Sequence, residues 1–546
     1  MRRFGVLRGC LCGALAFGAA AGTLHAAEPT DPQRIEERLP VEQPKPDLAE
    51  PSAVHVDDSD LASIKPFDVR AVAVVGATVI DRNDIDACTS EVTGRRIGAA
   101  SLVGLTSCVT QLYRDRGYFL SRAIVPPQEV HDGVLTVRVI EGYIAAVQPE
   151  GLEQVDADAQ FAVVLAARPL RLSTFERSLL LLADRYGYRI NSTRLAADDS
   201  DPARYVLKLS VKLLPVTWRV FGDNRGDAFQ GPEQGLLAVS LNSPFGPDRI
   251  IAQLFTAPAD KSELFFADIG YGRAWLNGDL WTEVGMSTSR SNSGDPFPIF
   301  ASESERRYAR LVMPVLRTRE QSLWAKLQAD ARDTQVVVAN GDVIHENTRV
   351  LRGSLSYTLV KGATRGDVSL EVSRGLDTLD ASQNGATNLS RADGRPQFAK
   401  AKLDATITHK LFSSLDIGVI GAGQWADGGL VASEEFGVGG ARLGRAYDYS
   451  EIVGDQGIAG AVELRWTWKK INDWLATAQL YAFADAARVW NNGGASASLI
   501  SAGSGIRVGV VPGISATLEI AKPLSRDVLS QGDREPRVFV SLSAGW

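Results

Sequence analysis

A chain of 546 residues with net charge −7 and mean hydropathy −0.05 is too long for one ordinary domain. After its first few dozen residues it has no apolar run of the roughly 20 residues that each helical membrane span needs, and no basic tract suited to a phosphate backbone. A multi-span helical membrane protein and a nucleic-acid binder are therefore excluded as expectations. The 51 glycines and 10 tryptophans, against 3 methionines, suit twisted strands, tight hairpins and interfacial aromatic girdles.

Residues 1–27 read as a signal peptide. Arg2, Arg3 and Arg8 precede an apolar stretch over 9–22, and Leu24-His25-Ala26-Ala27 offers small residues for cleavage. Removing that segment leaves two cysteines, Cys88 and Cys108. An even pair in an exported chain suits one disulfide; two buried free thiols are the alternative. Residues 28–65 read as a short helix over 31–39 and a linker, because Pro40, Pro44 and Pro46 do not fit a helix interior.

Folded sequence resumes at Pro66. A strand over 69–76 is followed by helices over 82–94 and 99–116. Leu102, Leu105, Val109, Leu112 and Tyr113 give the second helix its period. Strands near 122–127 and 134–140 follow, separated by the turn dipeptide Asp132-Gly133. The same order returns over 143–215: a strand over 143–147, helices over 156–167 and 172–186, then strands near 189–197 and 204–213. Two copies of one small α+β module, 66–142 and 143–215, are the economical reading.

From 216 to 546 the period becomes two. Leu323, Ala325, Leu327, Ala329 and Ala331 alternate with Trp324, Lys326, Gln328, Asp330 and Arg332, and similar patterns recur over 351–359, 366–373, 399–408 and 460–468. A soluble antiparallel sheet and a membrane barrel both alternate. The length of the region, its Ala, Gly and Leu face and its charged opposite face favour the barrel. The last strand puts Val538, Val540, Leu542, Ala544 and Trp546 on one face, ending as a C-terminal barrel signal.

Four local patterns resemble the two-partner secretion translocators (TpsB proteins, hemolysin activation/secretion type). Tyr113, Gly117-Tyr118, Pro127-Gln128, Asp132-Gly133 and Glu141-Gly142 are similar to that family's POTRA signature. Asp223-Asn224-Arg225-Gly226, with Asn242 following, resembles the start of its barrel. Phe436-Gly437-Val438-Gly439-Gly440, Gly444-Arg445-Ala446-Tyr447 and Gly454-Asp455-Gln456-Gly457 resemble its long sixth extracellular loop, and Phe483-Ala484-Asp485-Ala486-Ala487 its Phe-x-Asp-x-Gly strand motif. Ala446 and Ala487 stand where the family usually has Gly, which matters if φ is positive there.

The resemblance implies a membrane β-barrel of 16 antiparallel strands preceded by two α+β POTRA domains, with a loop around 436–457 folded into the lumen. It implies an outer-membrane location, periplasmic POTRA domains, and export of a secreted TpsA-type exoprotein without ATP. Outer-membrane lipids and the barrel-assembly machinery, reached through the C-terminal strand, are the other expected partners. By alternation Tyr481, Phe483 and Asp485 face the lumen. The residues alone leave Arg445 and Asp485 as ordinary solvated charges. The motif match makes them, with Tyr447 and Phe483, a loop–barrel lock. Exposed POTRA sheet edges suit strand addition by an extended peptide, and the 31–39 helix is a candidate plug.

No catalytic, metal or cofactor motif is present: there are 5 histidines and no Gly-x-Ser-x-Gly elbow or phosphate loop. The acidic runs 57–60 and 198–201 read as turns rather than calcium loops. A barrel-assembly factor of the same superfamily and a passive porin-like channel remain the alternatives.

Overall fold

The computed structural model describes residues 38–39, 65–227, 231–257, 264–292, 300–338, 341, 343–511 and 513–546. The expected leader 1–27, the acidic run 57–60, and all of segment 28–65 except Arg38, Leu39 and Lys65 lie outside the described residues.

The first unit comprises β1 (Phe67–Val69), β2 (Ala71–Val75), α1 (Arg82–Thr89), β3 (Arg95–Ile97), α2 (Ala99–Asp115), β4 (Arg122–Ile124) and β5 (Val134–Ile140). β5 is central, parallel to β2 and antiparallel to β4. Its Leu135, Val137 and Val139 pack on Leu102, Leu105, Val109 and Tyr113, the apolar stripe of α2. The helix read over 82–94 stops at Thr89. Val92 and Thr93 are β-branched, and Gly94 at φ +74° turns the chain into β3, which pairs with β1. A disulfide between Cys88 and Cys108 ties α1 to α2.

The second unit comprises β6 (Tyr143–Glu150), α3 (Gln154–Gln160), α4 (Ala162–Ala166), α5 (Leu172–Asp184), β7 (Tyr188–Ala197) and β8 (Arg204–Leu213). β8 is central, parallel to β6 and antiparallel to β7. The single helix read over 156–167 is two helices. Phe161, fully buried in the unit's core, interrupts it at φ −103°, ψ 15°. The acidic run 198–201 lies in the connection between β7 and β8, where Asp198 accepts from the Ser200 amide at 2.9 Å.

Sixteen strands then close a barrel: β9 (Val216–Asp223), β10 (Gln234–Asn242), β11 (Asp248–Thr256), β12 (Leu264–Trp275), β13 (Leu280–Asn292), β14 (Phe300–Arg317), β15 (Gln321–Val338), β16 (Val343–Lys361), β17 (Thr364–Gly375), β18 (Ala399–Lys410), β19 (Leu415–Ala426) and, after a hairpin of β20 (Phe436–Val438) and β21 (Ile452–Gly454), β22 (Gln456–Lys469), β23 (Thr477–Trp490), β24 (Ser496–Val511), β25 (Ile514–Pro523) and β26 (Arg537–Gly545). Leu327, Leu351, Leu355, Leu370 and Leu403 point outward and are exposed, while Gln328, Asp330 and Glu463 are buried inside. An apolar outer belt over a polar interior is the inverse of a soluble core and suits hydrocarbon outside.

The barrel closes at a short seam. β26 pairs with β9 over 541–545 against 219–223, continued by mutual backbone bonds of Trp218 and Trp546 (3.0 and 3.1 Å), whereas β22 and β23 pair along their full lengths. Trp546 packs on Trp218 across this seam, ring centroids 4.5 Å apart. The second unit sits on one mouth of the barrel, here the proximal mouth. Arg317 donates twice to Asp184 (2.7 and 2.9 Å), Arg319 to Glu176 (2.6 Å) and Arg177 to Asp279 (2.6 Å), and Tyr186 packs edge-on against Trp281.

Candidate functional site

The candidate site is the loop 427–455 between β19 and β22, which turns back into the lumen. Its base is fixed by two buried carboxylates. Asp455 accepts from Arg391 (2.6 Å) and from the amides of Leu430 (2.7 Å) and Asn492 (2.9 Å). Glu434 pairs with Arg352 and with Lys400 (2.7 Å). Burial opposes ionisation of Glu434, yet the Arg352 and Lys400 cations hold its carboxyl well below the usual range.

From this base the hairpin of β20 and β21 carries the tip Gly444-Arg445-Ala446-Tyr447 to the barrel wall. Gly444 takes φ +73°, a conformation costly for a residue with a Cβ. Ala446 and Ala487 are not among the positive-φ residues, so alanine costs nothing there.

The tip reaches Asp485 on β23. The Arg445 amide donates to Asp485 Oδ2 at 2.8 Å, and Arg445 Nη2 to Oδ1 at 2.9 Å. Nη1 of the same guanidinium hydrogen-bonds Glu463 on β22. Glu463 also takes Arg465 (2.6 Å) and Arg507 (2.7 Å), whereas among the described residues Asp485 has only Ser501 (3.1 Å) beyond Arg445. The guanidinium lies over the Phe483 ring, 3.5 Å from its centroid. Arg445 is 3% exposed and both carboxylates 2%, so this cluster is shielded from salt and water.

Phe483 holds its place because β24 offers glycine beneath it. A Cβ on Gly503 would fall 2.5 Å from Phe483 Cζ, and one on Gly505 2.5 Å from the neighbouring Tyr481 hydroxyl. Tyr447 makes no hydrogen bond to Asp485. It is 1% exposed, and its hydroxyl donates to the Ile500 carbonyl at 3.0 Å.

Sequence reasoning missed a second set of contacts from the strands beside the seam. Arg225, just past β9, donates to the Arg445 carbonyl (3.1 Å) and to Glu519 (2.6 Å), which Tyr481 also bonds (2.7 Å). Arg537 on β26 donates to the Ala446 carbonyl (3.1 Å) and to Asp448 (2.8 Å). Arg225 was visible in the Asp223-Asn224-Arg225-Gly226 pattern. Glu463, Glu519 and Arg537 are single charges on alternating strands and carry no local signal.

The POTRA-signature residues gather in the first unit and serve its fold. Tyr113, fully buried, donates to Glu141 at 2.7 Å, and Glu141 also accepts from the Thr78 amide at 2.7 Å. Burial, and then the bond to Glu141, push the Tyr113 phenol well above its ordinary range. Gly117 at φ +84° ends α2, and Tyr118 accepts from Arg171 of the second unit at 3.1 Å. Gln128, after Pro127, mimics a strand neighbour: its amide donates to the Thr136 carbonyl (2.7 Å) and accepts from the Thr136 amide (2.8 Å). Asp132 and Gly133 both take positive φ in the turn before β5. A Cβ on Gly142 would lie 2.5 Å from the Leu120 carbonyl oxygen, so glycine is required where the two units join.

Two family models match the chain: "POTRA domain, ShlB-type" over 67–142 and "Haemolysin secretion/activation protein ShlB/FhaC/HecB" over 295–508. The chain belongs to this family, the TpsB proteins. The tip loop, the Asp485 strand and the Glu463 strand all fall inside the second match. Among curated relatives of this TpsB chain is the outer membrane transporter CdiB of Escherichia coli O6:K15:H31, 26% identical over 251 residues, 45% of this chain and 42% of the relative. The alignment thus spans about two fifths of that relative. The heme/hemopexin transporter protein HuxB of Haemophilus influenzae is 20% identical over 82% of this chain and 83% of its own. The solved structure of CdiB from Escherichia coli superposes with a TM-score of 0.72 at 19% identity, over 90% of this chain and 93% of that one. CdiB from Acinetobacter baumannii gives 0.61 at 16% identity, over 94% and 96%. These named relatives are transporters, and the barrel places the TpsB chain in the outer membrane.

Proposed function

We propose that this protein exports a secreted TpsA-type partner across the outer membrane, taking it from the periplasm through two POTRA units (66–142 and 143–215) and passing it through the barrel without ATP. The observation that carries this reading is a lumen occupied by a tethered loop whose tip is held by ion pairs, with the second α+β unit docked on the proximal mouth. A passive solute channel has no use for either feature. The proximal mouth is then periplasmic and the loop base extracellular. Arg445, Asp485, Phe483 and Tyr447 form the loop–barrel lock, and the chain performs no catalysis. The outer belt meets lipid, and the strand ending at Trp546 is the handle for barrel assembly.

The described end of the 31–39 segment also lies inside the barrel. Arg38 is 3.8 Å from Asp227 and its guanidinium 5.2 Å from the Tyr449 ring, and Leu39 packs on Leu236 and Phe255. That placement supports a plug role for the segment. The short β9–β26 seam favours a second reading, a barrel-assembly factor that opens there.

The test is secretion of a large exoprotein, should one be encoded beside this gene, in cells with the wild type, a deletion, Arg445→Ala or Asp485→Ala. Barrel insertion is followed by heat-modifiable mobility. The translocator reading expects secretion to vanish in the deletion and to fall in both variants while the barrel still inserts. Secretion that survives the deletion, with other barrels failing to insert, favours the assembly factor.

A further inference from the structure

The sheet of the second unit has a face that its own core does not use. Tyr205, Leu207, Leu209 and Val211 of β8 point into the core. Between them Lys208, Ser210 and Lys212 point the other way. The register sets Arg194 of β7 directly opposite Lys208, and Arg189 opposite Lys212. All four cations are exposed, and among the described residues none has a side-chain hydrogen bond or ion pair. Glu150 on β6, beside Ser210, is the one carboxylate that the described residues of these three strands add to this face. Like charges set directly opposite on neighbouring strands destabilise a sheet, and this face carries two such pairs, separated by the Ser192–Ser210 pair.

The pairs have a direction. Arg194 and Lys208 lie farther from the barrel, and Arg189 and Lys212 lie nearer, since β8 leads into β9. Arg189 also lines the cavity at the proximal mouth, whose volume is about 1350 Å³. There it shares the wall with Arg219 of β9, which likewise has no partner among the described residues. The other arginines of this cavity are matched: Arg310 and Arg249 by Glu283, Arg306 by Asp330, and Arg507 by Glu463. The wall near the seam is hydroxylic, with Ser240, Thr517, Ser541 and Ser543.

We infer that Arg194, Lys208, Arg189, Lys212 and Arg219 form a basic track that receives an acidic, extended stretch of the passing polypeptide and leads it into the barrel mouth. The inference rests on the translocator reading and adds the chemistry of the segment recognised. Same-face residues of a strand recur every ~6.6 Å and Lys208 and Lys212 stand two such steps apart with Ser210 between, so a chain with a carboxylate at every second residue sets one against each cation pair. Anionic lipid is the poorer fit. The track ends in a hydroxyl-lined interior, whereas the lipid-facing wall beside it carries Val220 and Leu237. Complementary charge of this kind speeds capture and weakens as salt rises.

The test uses the full chain in detergent and two fluorescent probes, a Ser-Glu repeat and a Ser-Gln repeat, each about sixteen residues long. The expected result is that the Ser-Glu probe binds at least about tenfold tighter at about 50 mM salt, and that the gap shrinks at about 300 mM. Arg194→Glu with Lys208→Glu should bring the Ser-Glu probe down to the Ser-Gln level. The gentler pair Arg194→Gln with Lys208→Gln should fall between. Arg95→Glu with Arg96→Glu, the same charge change on β3 of the first unit, should leave binding within about twofold. Equal binding of the two probes, or equal loss in the β3 control, overturns the track. Export of the natural partner by the wild type is measured alongside. Its absence overturns the translocator reading, whereas export without probe discrimination overturns the track alone.

Discussion

Arg445→Ala should release the loop tip far more than Asp485→Ala does, and the asymmetry follows from the partners. Removing Arg445 leaves Asp485, 2% exposed, with only Ser501 and the residue-445 amide, and no second cation among the described residues. Glu463 is spared, since Arg465 and Arg507 remain. Stranding one partner of a buried pair costs about 3–5 kcal/mol. Asp485→Ala instead leaves Arg445 paired with Glu463 and stacked on Phe483, so the cost falls toward the roughly 1.5–3 kcal/mol of a charged hydrogen bond. The readout is maleimide labelling of Leu443→Cys, a tip residue 9% exposed when the loop is docked. The native Cys88 and Cys108 are bonded to each other and stay silent. At 1.4 kcal/mol per decade, Arg445→Ala should raise the labelling rate about a hundredfold or more, and Asp485→Ala about ten- to a hundredfold. Equal rates in wild type and Arg445→Ala would refute the lock. Equal effects of the two substitutions would refute the assignment of Glu463 as the second anchor.

Burial, with Asp448 adding to it, pushes the Glu451 carboxyl up to about 7, and Arg526 offsets this only in part. A group whose pKa is raised on docking favours the docked loop at low pH. That advantage is complete below about 4.5 and is lost as pH rises through about 7, a span of about 3 kcal/mol. Leu443→Cys labelling, normalised to thiolate content, should therefore rise from pH 5 to 8 and become flat in Glu451→Gln. Tyr113→Phe should cost the first unit about 1–2 kcal/mol, read as faster hydrogen exchange in α2 and β5, because Glu141 loses a buried donor. Replacing Cys88 and Cys108 by alanine opens a cross-link of sequence separation 20 and should cost about 3 kcal/mol in the same units; unchanged exchange in α1 would contradict it.

The parts legible in sequence were those where one local pattern meets one physical demand. Alternation of Leu327 with Gln328 and Asp330 marked a wall between two solvents, and it placed Phe483 and Asp485 on the inner side. The α2 stripe from Leu102 to Tyr113 marked a helix packed on a sheet. The short elements were not legible. β1 and β3 are three residues each, and they owe their pairing to Gly94 and to each other rather than to any period. Phe161 gave no warning that it would break a helix, because an aromatic at that position fits the apolar stripe equally well. The partners of Arg445 were half legible. Asp485 stood in a motif, but Glu463 is a single charge on β22, set beside Asp485 by the pairing of β22 with β23.

The POTRA signature has a use that its name obscures. Tyr113, Gly117, Gln128, Glu141 and Gly142 bond or pack within the first unit or at its junction with the second. Loss of export on mutating them is therefore evidence about folding before it is evidence about recognition.

The tip of the loop is held through its backbone carbonyls as well as its side chains. Arg225, just past the strand that opens the barrel, holds the oxygen of Arg445, and Arg537, from the strand that closes it, holds the oxygen of Ala446. Those two strands share the shortest pairing in the wall. Withdrawing the tip to clear the channel therefore also removes a brace spanning the weakest joint, so the bore of the pore and the stiffness of its wall are set by one displacement.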